Sequence, residues 1–176
     1  MRKNSREFLL VDGYNIINAW PELIRDAREV NLETSRDRLI GVMSDYSAMT
    51  GVTVIVVFDA HQVARNSRTS YLVNGVEVVF TKEGETADHY IEKVVDAIGR
   101  EEKVRVATSD WIEQQIVLGR GASRVSAREL YQEVKNTTST RRLLQENDKF
   151  EKETLGDRVD SKIWEVIEKH IDNSEH

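Results

Sequence analysis

Four aspartates carry most of the chemistry that this chain of 176 residues has to offer. Asp12 directly follows the apolar run ending at Val11, and Asp59 directly follows Thr53–Phe58. Asp110 comes three residues after the Val104–Ala107 run, and Asp88 lies in the first turn of a helix that Thr86 is placed to cap. Gathered on one patch, such carboxylates cannot all stay ionised unaided. Two of them ~4 Å apart repel by roughly 4 kcal/mol at an effective dielectric near 20. Either protons are taken up or a cation sits among them. Oxygen donors without histidine or cysteine nearby favour Mg²⁺ or Mn²⁺ over zinc. Such an ion activates water and offsets phosphate charge, the chemistry of phosphodiester hydrolysis and phosphoryl transfer.

Neighbouring residues suit supporting roles. Asn15, three after Asp12, is placed to orient a water or bridge carboxylates. Thr108 and Ser109 precede Asp110 and suit a phosphate at a helix N-terminus, and Glu85 is a further candidate ligand. Each has a plainer reading. Asp12-Gly13 is turn chemistry, Asp59 starts a loop, Asp88 complements a helix dipole, and Asp110 with Glu113 has capping-box spacing. Tyr14, Trp20 and Tyr71 could stack on bases, although an aromatic near a strand more often belongs to the core.

The elements that must position these groups are legible as alternating patterns. Glu7–Val11, Thr53–Phe58, Val76–Phe80 and Val104–Ala107 are short β-branched runs, most of them apolar throughout, as strands covered on both faces are. Between them lie helical periodicities: Leu32–Thr50, ending at Gly51, and a second helix with Ile91, Val94, Val95 and Ile98 on one face, ending at Gly99. A third helix is expected from about Asp110 to Leu118, and a fourth from Ser126, whose spacing to Glu129 is that of a capping box. Asn136–Thr140 reads as a loop, followed by a charge-dense stretch and a last amphipathic helix carrying Val159, Ile163, Val166 and Ile167. The expectation is an α/β fold with a mainly parallel sheet over residues 1–135. Residues 136–176 are expected to form a charged linker and a C-terminal helix docking on the domain. In such a sheet the strands' carboxyl ends share one edge, where the ligand crevice lies. That edge would collect the four aspartates.

Composition narrows the class further. The absence of cysteine excludes disulfide scaffolds, thiolate metal sites and cysteine nucleophiles. The longest apolar run, Val54–Phe58, is far short of the ~20 residues of a membrane span, so a soluble, cytoplasmic chain without membrane association is expected. Net charge is −6, which argues against a general nucleic-acid coat protein. Three stretches nevertheless lack acids: Ala60–Val76, Gln114–Arg128 and Val134–Gln145. Arg65, Arg68, Lys82, Arg120, Arg124 and Arg128 are the candidate contacts to a polyanion.

In combination the motifs resemble a known family. Asp12-Gly13-Tyr14-Asn15, Val56-Val57-Phe58-Asp59-Ala60, Glu85-Thr86-Ala87-Asp88 and Ala107-Thr108-Ser109-Asp110 are similar, in this order, to the motifs of the NYN domain, a relative of the PIN nuclease fold. Gly119–Leu130 resembles a stretch of its bacterial YacP branch. The resemblance implies a PIN-like three-layer α/β/α sandwich. It also implies a metal-dependent endoribonuclease with Asp12, Asp59, Asp88 and Asp110 as its acidic site, with Asp12, Asp88 and Asp110 as metal ligands. For that branch it implies translation-dependent cleavage of mRNA in the ribosomal A site, with mRNA and ribosome as partners. Docking on the ribosome would supply the affinity that an acidic protein lacks for naked RNA, so cleavage of free RNA should be weak at physiological salt.

Rival functions fit less well. An aspartyl phosphatase wants Asp-x-Asp after the first strand, where this chain has Tyr14. A phospho-acceptor domain wants a lysine after a late strand. The glycine-rich dinucleotide pattern is absent, and with it a nucleotide cofactor. The alternative from another class is a non-catalytic RNA- or ribosome-binding module on the same fold. Such a module has no reason to gather four acids beside a phosphate backbone.

Overall fold

The computed structural model describes residues 5–60, 67–110, 115, 118–147 and 161–173. Strand β1 (Glu7–Asp12) is followed by α1 (Gly13–Ile17), α2 (Pro21–Glu29) and α3 (Leu32–Thr50). Then come β2 (Thr53–Phe58), the hairpin of β3 (Thr69–Val73) and β4 (Val76–Phe80), α4 (Ala87–Ile98), β5 (Lys103–Ala107), β6 (Ser123–Val125), α5 (Ala127–Asn147) and α6 (Ser161–Asn173). One six-stranded sheet has the order β3-β4-β2-β1-β5-β6, with only β3 antiparallel. This is the α/β fold with a mainly parallel sheet expected from the alternating patterns, in the three-layer sandwich that the family resemblance implies.

The strand period of two divides the core. Leu9 and Val11 of β1 face the layer of α1, α2, α3 and α5, whereas Phe8 and Leu10 face α4 and α6. Ile167 and Ile171 of α6 are buried on that second face beside Ile91, Val94 and Val95 of α4. With both faces covered, β1, β2 and β4 are apolar along most of their length, which makes them readable; Glu77 inside β4 is the exception, buried at 8% exposure. Local signals set the helix ends. Asn31 accepts from the Thr34 amide at the start of α3, and Gly51 closes it at φ 73°. Thr86 accepts from the His89 amide at α4, and Ser126 and Glu129 satisfy each other's backbone amides at α5.

Three expectations need correction or completion. Asn136–Thr140, expected as a loop, lies inside α5, so the proposed boundary at residue 135 falls within a helix. The hydroxyls of Thr137, Thr138, Ser139 and Thr140 donate to the carbonyls of Glu133, Val134, Lys135 and Asn136, turning would-be loop donors into helix partners. Strands β3 and β6 and helices α1 and α2 were not anticipated. The helix expected at Asp110–Leu118 falls largely outside the described residues.

Between α2, α3 and α5 a groove of about 340 Å³ is lined by Trp20, Met49, Tyr131, Val134, Thr137 and Thr138, among others. Among the described residues, no helix is long and apolar enough to cross a membrane.

Candidate active site

The sheet order reverses between β1 and β5: successive strands run outward from β1 through β2 to β4, and α4 then carries the chain back to the other side of β1. Such a reversal, here between the carboxyl ends of β1 and β5, is where open α/β sheets bind their ligands. Asp12 ends β1, only 9% exposed, and its Oδ1 accepts from the Asn15 amide at 3.2 Å, capping α1. The Asn15 side chain then crosses the reversal, its Oδ1 accepting from the Ser109 amide at 2.6 Å. On the far side, buried Thr108 donates its amide to the Val125 carbonyl, and its Oγ1 accepts from the Asp110 amide. Asp12, Asn15, Thr108, Ser109 and Asp110 are thus joined by one run of hydrogen bonds from the end of β1 through α1 to the segment after β5.

Gly13 has a steric reason. A Cβ there would lie 2.3 Å from Cε1 of Phe58, so the turn after Asp12 closes only over a glycine. Asp59 follows Phe58 and is held from behind. The Ala60 amide donates to Thr81 Oγ1 at 2.9 Å, and that hydroxyl donates to the Glu85 carbonyl at 2.8 Å. Fully buried Thr81 therefore ties the Asp59 loop to the segment leading into α4, where Asp88 occupies the first turn.

Other candidates have different surroundings. Glu85, 5% exposed, accepts from Arg68 Nη2 at 2.7 Å and Arg68 Nε at 3.1 Å, with Lys93 Nζ at 3.4 Å. Arg68 also lies over the Tyr90 ring. Both Glu85 and Arg68 are thereby engaged in a largely buried ion cluster. Arg120 pairs with Asp96 and Glu92 of α4. Lys82 follows β4, exposed Arg124 lies on β6, and exposed Arg128 lies in the first turn of α5. Arg65 lies outside the described residues. Trp20 is core: it is buried, and its Nε1 donates to the Ala127 carbonyl.

One group near the edge was missed. Arg36, near the start of α3, donates to the Tyr14 hydroxyl at 3.1 Å and lies 5.8 Å from the Phe80 ring centre. Burial raises the pKa of Tyr14, Arg36 opposes the rise, and the nearby Asp59 charge adds to it, so this hydroxyl stays protonated at neutral pH. In the sequence Arg36 is one of several charged residues on α3, and nothing local marks it.

Among the described residues, no three histidine, cysteine, aspartate or glutamate side chains gather closely enough to cage a metal ion. The donors at the edge are carboxylate and carboxamide oxygens. That chemistry suits a hard cation held by one or two carboxylates and water, not a tetrahedral zinc.

Comparison with known proteins agrees with this fold. Residues 9–172 match the YacP-like NYN domain. The chain is 50% identical over 129 residues to a Bacillus subtilis (strain 168) protein named "Uncharacterized protein YacP", covering 73% of this chain and 75% of that one. The crystal structure of Rae1 (YacP) from Bacillus subtilis superposes with a TM-score of 0.67 at 42% identity, covering 96% of this chain and 88% of that one. Its W164L mutant gives 0.68 at 40% identity, over 93% and 91%. The chain belongs to the YacP-like NYN domain family, with a nuclease-type, RNA-related function.

Proposed function

We propose that this protein is a metal-dependent endoribonuclease that hydrolyses mRNA phosphodiester bonds during translation, within the ribosomal A site. The observation that carries this reading is the arrival of Asp12, Asp59 and Asp110 after β1, β2 and β5, and of Asp88 at the start of α4, on one carboxyl edge. Asp12, Asp88 and Asp110 are the residues that would hold Mg²⁺ or Mn²⁺, directly or through water. When bound, the ion would supply a more acidic water and charge compensation for the phosphate. The chain's own residues do the positioning. Asp12 is aimed by the Asn15 amide, Asn15 fixes the Ser109 backbone, and Thr81 holds the Asp59 loop. Arg36 brings a positive charge to the Tyr14 side of this edge. A net charge of −6 disfavours naked RNA, and docking on a ribosome in the cytoplasm would make up the affinity.

The second reading is a non-catalytic RNA- or ribosome-binding module. The lack of a three-ligand cluster among the described residues is the observation on its side. A purified translation system with Mg²⁺ separates the two, comparing the native protein with Asp88→Asn. A ribosome-dependent cut lost in the variant supports the endonuclease. Ribosome binding by both proteins without cleavage of any message favours the binding module.

A further inference from the structure

A row of four aromatic rings leads from the edge of the sheet to the aspartates. Tyr71 on β3 stacks on Phe80 with centres 6.1 Å apart and planes 19° apart. Phe80 stacks on Phe58 at 5.4 Å and 27°, and Phe58 meets Tyr14 at 5.1 Å and 54°. Tyr14 lies two residues after Asp12. The two middle rings are buried, but Tyr71 is 43% exposed. Its register opposite Val78 sets it on the α3 side of the sheet, where the Arg36 guanidinium lies over Phe80, the same ring that backs Tyr71.

We propose that Tyr71, backed by Phe80 and flanked by Arg36, is a nucleobase-stacking subsite for single-stranded RNA beside the acidic edge. This rests on the endoribonuclease reading and adds to it where the strand lies. An aromatic ring kept only for packing would bury its area, and this one holds a supported ring at the surface. With one face fixed on Phe80, Tyr71 loses little freedom when a base covers the other. Every base has a π-face, so such a platform tolerates sequence. The neighbouring guanidinium gives the occupant's charge: a phosphate backbone is drawn to it, and an uncharged apolar segment is not. The row's direction then delivers the adjoining phosphate toward Asp12 and Asp59.

The test uses the full chain carrying Asp88→Asn, which on the endoribonuclease reading cannot cut the strand. Affinities at low ionic strength are measured by fluorescence anisotropy for a labelled short oligoadenylate and for an abasic ribose-phosphate strand of equal length. The native platform should prefer the oligoadenylate. Tyr71→Ala should lose on the order of 10- to 100-fold on the oligoadenylate, the range that base–aromatic stacking supplies, and nothing on the abasic strand. Tyr71→Phe should retain both affinities, which a loss through misfolding would not allow. Equal oligoadenylate affinity for the native side chain and Tyr71→Ala would overturn the subsite, leave the endoribonuclease reading standing, and point to β3 as an edge for pairing with protein. Failure to bind either strand would overturn the subsite, while the endoribonuclease reading is decided separately by the translation assay.

Discussion

Gly13→Ala is a small substitution with a large expected consequence. It sets a methyl group 2.3 Å from Cε1, 2.5 Å from Cδ1 and 3.0 Å from Cζ of Phe58. Non-bonded carbons rest at about 3.5–4.0 Å, so the ring would have to retreat by about 1 Å or more. It has nowhere to go. Phe58 is fully buried, stacked on Phe80 and in tilted contact with Tyr14. Overpacking of this kind costs about 1–3 kcal/mol, while removing the glycine's freedom in the unfolded chain returns about 0.4–1 kcal/mol. From the midpoints of those ranges, about 2 and about 0.7 kcal/mol, the net loss is about 1.3 kcal/mol. At roughly 2–4 °C per kcal/mol for a chain of this size, Tm should fall by about 3–5 °C. Thermal or urea unfolding reads this directly. A double-mutant cycle with Phe58→Leu gives the cause, because the shorter side chain makes room, and the pair should cost about 1 kcal/mol less than the sum. A Gly13→Ala protein as stable as the native one, or strict additivity in the cycle, would refute the close-approach argument.

Two further outcomes follow from buried or charged partners. Thr81→Val keeps the shape but strips the hydroxyl from the Ala60 amide and the Glu85 carbonyl, costing about 1–3 kcal/mol in urea unfolding. Hydrogen exchange at the Ala60 amide should speed up, and an unchanged rate would show that Thr81 does not hold the Asp59 loop. Burial works to raise the Glu22 carboxyl, but hydrogen bonds from Lys135, its own backbone and Tyr131 outweigh it and hold the pKa lowered from 4.5 to about 2. A lowered carboxylate pKa adds stability that is fully present above pH 4.5 and is lost as pH falls toward 2. Lys135→Met should therefore destabilise by less than about 1 kcal/mol at neutral pH, with the gap closing across that window in denaturation curves. A gap independent of pH would contradict it.

What the sequence disclosed follows from where the physics is local. β1, β2 and β4 are covered on both faces, and their apolar runs, broken in the interior by Glu77 alone, announce it. Thr86, Gly51, Gly99 and the Ser126–Glu129 pair set helix ends within a few residues of themselves. Asp12 and Asp59 could be placed on one edge because parallel strands share a direction. β3 escaped because it is an edge strand with its middle residues exposed, so Thr69–Val73 lacks both an apolar run and a buried alternation. Its one local signal is Asn74-Gly75, both at positive φ in the hairpin turn. β6 is three residues long, too short for any period to show. Glu85 and Arg68 look like solvated charges until tertiary contact buries one against the other, and Arg36 becomes notable only once α3 sets it beside Tyr14.

The back-bonded hydroxyls of α5 also change what kind of surface that helix is. A threonine whose proton is committed to the carbonyl four residues back no longer seeks water as a donor, and its remaining outward atoms are mostly carbon. Thr137 and Thr138 sit in this state on the wall of the groove between α2 and α3. Hydropathy counts them as polar, yet toward the groove they act more like short aliphatic residues. The polar tract that reads as a linker is thus camouflage, and the greasy character of that wall is invisible to any scale that scores residues one at a time.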